Sequence, residues 1–324
     1  MTEMSLNIPA RVHISLLDMS VHGYRRHGGL GFALENGYVC RAKISQSQRF
    51  IDKRNGCPSN VRQVAKLQQL MKDLLNSDPE LKPIEFSIIS GFDAHNGFGS
   101  GTALRLAAIE ALLLLNERDA TVRQVMHLSG RGGVSGIGVN TYFSGGFWLD
   151  AGIKNTQNLT FMSSDDQQMV TDLPLPLVRV TMPEDWIFGV CVPSANSELC
   201  EDESKFFSSF IPPSVESVWN LVYEAAFGVL PSVLEKDKNT FCASMSRIQS
   251  CYWKSAERAY HAAWLRSVKK ILEPFGVDEL YLSSFGPGVF FLSSDAMVRG
   301  ITKRADMSIN WLKVDNSGRQ LIYA

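Results

Sequence analysis

Three glycines within five residues, Gly97, Gly99 and Gly101, stand in the stretch "HNGFGSGTAL" (residues 95–104), directly before an apolar run. Glycine allows the backbone positive φ and close approach to a ligand, and a helix that begins there aims its positive end at the same point. With Ser100 and Thr102 in the same stretch, the pattern has the chemistry of a cradle for phosphate or diphosphate. It is not a Walker A motif, because no Gly-Lys-Ser/Thr follows, and it lacks the G-x-G-x-x-G fingerprint of dinucleotide-binding folds. Read alone, it suits a tight structural turn as well as it suits an anion site.

Basic groups near other glycines supply the second signal. "HGYRRHGGLGF" (residues 22–32) places Arg25 and Arg26 beside His22, His27 and a Gly-Gly pair, and guanidinium groups bind phosphate through paired hydrogen bonds. Arg131 and Ser135 lie in "GRGGVSG", where flanking glycines again permit close approach. The alternatives are a solvated hairpin turn for the first stretch and an arginine that complements a helix C-terminus for the second. Among acids and bases, His13 and Asp18 lie in "RVHISLLDM" and Asp150 ends "GGFWLD", all at apolar edges where a titratable group is costly unless paired. These three are the candidate catalytic residues, and each also has a structural reading as a satisfied hydrogen-bonding group.

Such groups need elements to hold them. At 324 residues, with 45% hydrophobic and 20% charged residues, the chain has the length for two lobes and the balance of a folded protein. A formal net charge of -1 offers no global attraction to nucleic acid or to an acidic membrane, so any anion site is local. The apolar run Ala111–Leu115 is too short to span a bilayer, and the first residues lack the basic and apolar pattern of a secretory signal, so a cytoplasmic location is expected. Six scattered cysteines, Cys40, Cys57, Cys191, Cys200, Cys242 and Cys251, form no Cys-x-x-Cys pair and read as reduced structural thiols.

Alternation predicts strands over residues 8–19 and over "GGLGFALE" and "GYVCRAKISQS", with a glycine turn between the last two. Helical spacing predicts helices over 60–76 and 101–116, separated by the strand "IEFSIIS", and another over "TVRQVMHLSG" with Thr121 as N-cap and Gly130 at its end. "DLPLPLVRVTMPED" (172–185), with three prolines, reads as the link between lobes. Beyond it, "WIFGVCVPS" predicts a strand, 214–235 and 241–273 predict helices, and "VDELYLSSFGPGVFFLSSD" predicts strand, turn and strand. Phe206, Phe207, Trp219, Trp253 and Trp264 are assigned to core packing.

With these stretches placed, the chain resembles the GHMP kinase superfamily and, within it, the β-ribofuranosylaminobenzene 5'-phosphate synthases of methanopterin biosynthesis. The likeness rests on "RVHISLLDMS" with "RRHGGLGFALE", on "HNGFGSGTAL", on "GRGGVSGIGVNTYFSGGFWLDAG" and on "SSFGPGVF", which together span residues 11–290. It implies an α+β fold of two lobes: an N-terminal lobe over 1–172, related to the ribosomal protein S5 domain 2-like fold, and a ferredoxin-like lobe over 185–324. It also implies a phosphoribosyltransferase that joins phosphoribosyl diphosphate to 4-aminobenzoate, or a related aromatic acid, with release of diphosphate and carbon dioxide. A homodimer and small-molecule substrates are implied with that, and Mg²⁺ is expected to be held mainly by substrate phosphates, with Asp18 and then Asp150 as the candidate carboxylates. An ATP-dependent small-molecule kinase and a non-catalytic phosphate-binding homologue are the alternatives. Phe98 stands where the family's loop carries Leu, Ala103 where Gln is expected, and Ile153 where His is expected.

Overall fold

The computed structural model describes residues 2–20, 23–155, 174–193, 206, 213–293, 298, 300–301 and 309–324. His22, Cys200 and Phe207 lie outside these described residues. Strands β1 (Glu3–Asp18) and β2 (Arg25–Ile44) pair antiparallel along almost their whole lengths and form the spine of an eight-stranded sheet. The glycine turn expected within β2 is instead a bulge. The ladder passes from Ala10–Leu34 to Ile8–Tyr38, with Asn36 at φ 57, while β1 runs on unbroken opposite. A side chain at Gly37 would strike the backbone of Pro9 and Ala10, so glycine is required there by strand proximity.

On one side of the ribbon, β4 (Ile84–Gly91) pairs β2, and the short β3 (Arg49–Asp52) pairs β4 in parallel. Along the other half of β2 lie β5 (Phe147–Asp150) and β6 (Ile153–Lys154). The stretch 172–185, expected to link two lobes, contains a further strand of this same sheet, β7 (Pro176–Val180), which pairs β5. The chain also returns at its end: β12 (Gln320–Tyr323) pairs β1 at Met4–Asn7. Residues 185–324 therefore do not all lie in the second sheet. Proline at the start of β7 is compatible with an edge position, where no partner demands its missing N–H.

The second sheet is antiparallel, in the order β11 (Asn310–Lys313), β8 (Ile187–Cys191), β10 (Val289–Ser293), β9 (Tyr281–Leu282). Helices α1 (Pro58–Ser77), α2 (Ser100–Leu115) and α3 (Val122–Ser129) agree in position with the helical spacing, and α4 (Ile137–Ser144) forms within the second glycine stretch, where no helix was expected. Thr121 caps α3 through a reciprocal capping box with Gln124, and Gly130 ends it at φ 64. The C-terminal helices are α5 (Val215–Tyr223), a π-helical turn over Glu224–Val229, α6 (Leu230–Glu235), α7 (Lys238–Gln249), α8 (Tyr252–Tyr260) and α9 (Ala262–Leu272).

Three apolar clusters hold these layers together. Met4, Leu6 and Ile8 of β1 pack with Leu106, Ile109 and Leu113 of α2 on the helical side of the large sheet. At the register shift around Pro9 the facing of β1 exchanges, so that Ala10, Val12 and Ile14 pack instead with Phe188, Phe241, Trp253 and Phe290 and the two sheets share one core. Phe32 lies 4.8 Å from Phe188 and 5.8 Å from Phe290 between ring centroids. Trp253 is 1% exposed, and Trp264 packs partly buried beneath the small sheet, as expected. Trp219 is the exception. It is 66% exposed, because α5 turns Val218 and Leu221 inward and the helix period carries residue 219 to the opposite face. The five described cysteines are free thiols.

Candidate active site

The shared core sets the direction of the remaining side chains of β1. With Ala10, Val12 and Ile14 facing the small sheet, alternation sends Arg11 and His13 to the other face, where the N-termini of α2 and α4 arrive. The loop that leads from β4 into α2 is fastened to this strand through Phe98. Its ring is 1% exposed and packs 4.7 Å from Phe92, and its carbonyl accepts hydrogen bonds from the Arg11 N–H (3.1 Å) and the Tyr38 hydroxyl (3.0 Å). Phe98, where the resemblance expects Leu, thus fills core space.

Gly99 caps α2 in the left-handed region at φ 81, and the first N–H groups of a helix have no intrahelical partner. A Cβ on Gly99 would lie 3.1 Å from Arg11 Nε, and one on Gly101 would lie 3.4 Å from an Arg131 terminal nitrogen. Two guanidinium groups therefore flank the N-terminus of α2, in front of unsubstituted backbone. Ser100 is buried, and its hydroxyl receives a hydrogen bond from Gln63 Nε2 (3.0 Å). Gln63 is held in turn by Arg54, which Asp52 fixes through a 2.7 Å ion pair. Thr102 packs against Gly138 of α4, while Ala103 points into the helix core, 6% exposed. Gly97 has a different reason to be glycine: a side chain there would strike the carbonyl of Ser283, on the turn before β10.

The second glycine stretch is organised by Asp150. This residue is fully buried, and its carboxylate accepts from Gly152 N (2.8 Å), Gly136 N (3.1 Å) and Ser135 Oγ (3.2 Å). Burial raises its pKa to about 6 against the opposing pull of those three donors and of Arg25. Because the folded value lies above the ordinary value of 3.8, the folded state holds this proton more tightly than the unfolded chain does. The contribution to stability is therefore greatest below pH 4 and falls as pH rises towards 6. Chemical denaturation of the wild type and Asp150→Asn at stepped pH should show the wild type losing ground to the variant across that window. A difference independent of pH would contradict the assignment.

Arg25 reaches this cluster rather than the α2 loop: its Nε donates to Ala151 O at 2.8 Å, and it also bonds Gly152 O. Arg26 pairs Ile153 in the β2–β6 ladder, and burial lowers its pKa. Ile153, where the resemblance expects His, is 7% exposed and apolar, so its side chain offers no hydrogen bond. Asp18, at the end of β1, pairs His27 across the ladder, and its Oδ1 accepts from Ser20 N (2.7 Å). Between Arg11 and Asp18 the strand covers roughly 20 Å. His13 lies between them. Both its Nε2 and Ser135 Oγ approach within 2.9 Å of the point a Cβ on Gly29 would occupy, and Ile137 fills the space above Gly31. The glycines of "HGGLG" thus let the N-terminus of α4 lie directly on the sheet. His13 is 8% exposed, Nε2 has no hydrogen-bond partner among the described residues, and burial, with the charges of Arg11 and Lys254, holds its pKa well below 6.5. The imidazole is neutral.

The structure therefore brings Arg131, Gly99, Ser100, Gly101 and Thr102 together at one helix N-terminus, and Asp150, Ser135 and Arg25 together at a second cluster, with His13 bridging them along β1. Sequence reasoning missed Arg11, although its two-residue spacing from His13 on a strand was a usable sign that the two share a face. It also missed Gln63, Ser283 and Lys254, whose roles depend on elements distant in sequence.

No family model matches the chain. It is similar to the β-ribofuranosylphenol 5'-phosphate synthase of Archaeoglobus fulgidus, 29% identical over 301 residues, which cover 93% of this chain and 90% of that protein. It is also similar to the synthase of that name from Methanothermobacter thermautotrophicus, 26% identical, with 90% and 89% covered. Among solved structures, homoserine kinase from Cytophaga hutchinsonii superposes with a TM-score of 0.63 at 18% identity, covering 99% of this chain and 98% of that one. A mevalonate diphosphate decarboxylase from Enterococcus faecalis superposes at 0.58 and 12% identity, with 100% and 99% covered. The resemblance drawn from the sequence, to GHMP kinases in fold and to ribofuranosyl phosphate synthases in kind, is borne out.

Proposed function

For a chain that has the two-lobed GHMP kinase fold and is similar along nine-tenths of its length to synthases of a ribofuranosylphenol phosphate, we propose a decarboxylating phosphoribosyltransferase. Its substrates are phosphoribosyl diphosphate and a benzoate with an electron-donating group para to the carboxylate. The relatives are named for a phenol, which favours 4-hydroxybenzoate over the 4-aminobenzoate expected from the sequence. The observation that carries the reading is the α2 N-terminus flanked by Arg11 and Arg131, a site with the charge and shape for a diphosphate leaving group.

The bond between ribose C1 and diphosphate breaks with its electron pair leaving on diphosphate, which Arg11, Arg131 and the α2 N–H groups neutralise. The para donor enriches the ring carbon that bears the carboxylate. That carbon forms the new C–C bond to C1, and loss of carbon dioxide returns an electron pair to the ring. No net oxidation occurs. His13, neutral and buried, is the candidate to accept a hydrogen bond from the para hydroxyl as the ring gains positive charge. Asp150, with both oxygens engaged by three donors, holds the second glycine stretch in place, and Arg25 and Arg26 are the candidates for the 5'-phosphate.

Among the described residues, no group of three or more His, Cys, Asp or Glu could hold a metal ion. A single strand-end carboxylate suits a cation that takes most of its ligands from phosphates and water, so Asp18 is the residue that would hold Mg²⁺. With Asp18 roughly 20 Å from Arg11 along β1, a Mg²⁺ held there would supply charge neutralisation at the 5'-phosphate end of the substrate rather than at the diphosphate.

Incubation with phosphoribosyl diphosphate and either benzoate, following diphosphate and carbon dioxide, tests the reading, and a parallel incubation with ATP follows ADP. Stoichiometric diphosphate and carbon dioxide support it, whereas ADP formation alone turns the site into that of a kinase. Asp18→Asn should lower kcat at least tenfold with little change in melting temperature, and EDTA should stop turnover. Near-normal kcat in the variant, or full turnover in excess EDTA, would return Asp18 to a structural role.

A further inference from the structure

The turn between β9 and β10 is held from outside by three side chains of α8 and the segment after it. Lys254 Nζ donates to Ser284 O (2.8 Å), His261 Nε2 meets Phe285 O (3.0 Å), and Trp264 Nε1 donates to Pro287 O (2.8 Å). On its inner side the same turn grips the α2 loop and β1. Ser283 Oγ donates to Gly97 O (2.7 Å) and accepts from His13 N (3.1 Å), and Ser284 N donates to His13 O (2.8 Å). There is no room for a Cβ at Gly286, which meets Gly97, or at Gly288, which meets Asn96. The two loops are thus in contact backbone to backbone, and Ser284 is held at φ 56, a region unfavourable for a residue with a side chain.

Lys254 differs from the other two donors in carrying a charge that is almost fully buried. Its side chain is 1% exposed and pairs at 2.6 Å with Glu257, which is 3% exposed. A buried ion pair is a poor device for stability, since an apolar pair of similar volume commonly serves as well or better. What an apolar pair cannot do is donate a hydrogen bond to Ser284 O. We propose that Lys254 is a positioning residue for the phosphate loop: its ammonium sets the 283–288 turn, and the turn sets Gly97 and the entry into α2. Glu257 compensates the charge. The inference rests on reading the α2 N-terminus as a diphosphate site.

Calorimetric titration with inorganic diphosphate, with and without Mg²⁺, separates the two ideas. If the wild-type chain fails to bind diphosphate, the anion site falls and this inference falls with it. If it binds, the double variant Lys254→Met with Glu257→Met should keep a melting temperature near that of the wild type and bind diphosphate about tenfold more weakly, as expected for a displaced loop. Ser283→Ala, which removes the contact to Gly97, should lose a similar factor. Combining all three substitutions should cost no more than about twofold beyond the larger single loss, because both changes act through one turn. Unchanged affinity in the folded double variant, or losses that multiply in the combined variant, would overturn the proposal. Should the methionine pair not fold, Lys254→Gln with Glu257→Gln keeps polar groups at both positions, withdraws the ammonium, and is judged by the same affinity criterion.

Discussion

Gly99→Val is expected to lower kcat/KM for phosphoribosyl diphosphate by at least about a hundredfold in a chain that still folds. Gly99 sits at φ 81, where an L-residue costs roughly 1–2 kcal/mol and a β-branched one more. Its added Cβ would lie 3.1 Å from Nε and 3.2 Å from Cβ of Arg11, so the valine methyl groups displace that guanidinium and also cover the α2 N–H groups. Removing one preorganised donor from a developing anion typically costs about 2.7–4 kcal/mol, and this substitution disturbs several. Gly101→Ala is the contrast. It lies inside the helix at ordinary φ, its Cβ would be 3.4 Å from an Arg131 terminal nitrogen, an ordinary van der Waals contact, and its loss should stay under about tenfold. Steady-state kinetics with circular dichroism on both variants check the pair. Folded Gly99→Val within tenfold of wild type would remove the α2 N-terminus from the reaction.

Glu110→Ala is expected to destabilise the fold by about 3 kcal/mol without touching the site. Glu110 is 1% exposed on α2 and binds Arg319 at 2.6 Å, with the Arg319 Nε shared between its two oxygens, and it accepts the Tyr142 hydroxyl at 2.6 Å. Arg319 also lies 4.8 Å from the centroid of the Phe143 ring and immediately precedes β12, so the pair fastens the returning C-terminal strand to α2 and α4. Truncation leaves the buried Tyr142 hydroxyl without its acceptor and the partly exposed Arg319 without its carboxylate. Urea unfolding should show the loss as a lower midpoint at unchanged slope. A change below about 1 kcal/mol would mean that Arg319 finds solvent at no cost.

Much of this protein was legible in its residues. The helices over 60–76 and 101–116 and the Thr121–Gly130 helix follow from local spacing and capping, which act within a few residues and need no knowledge of the rest of the chain. So does the reading of the loop at 97–101 as backbone suited to an anion, because glycine conformations and a helix N-terminus are local properties. The resemblance to ribofuranosyl phosphate synthases rested on four such local segments.

What the tertiary structure alone decided is which side chains meet. The bulge at Asn36–Gly37 replaced an expected turn because an unbroken β1 lay opposite, and the stretch 172–185 includes the edge strand β7 because β5 was there to pair with it. Arg25, read as a phosphate-binding residue, bonds the carbonyls of Ala151 and Gly152 beside the second glycine stretch, while Arg11, unremarkable in its own segment, flanks the α2 loop. Gly29, Gly31 and Gly97 look alike in sequence to a phosphate cradle, yet they are small because α4 and the Ser283 turn press against them. Charge type and backbone freedom are written residue by residue, but the direction of a guanidinium or the reason for a missing Cβ depends on neighbours that only the folded chain supplies.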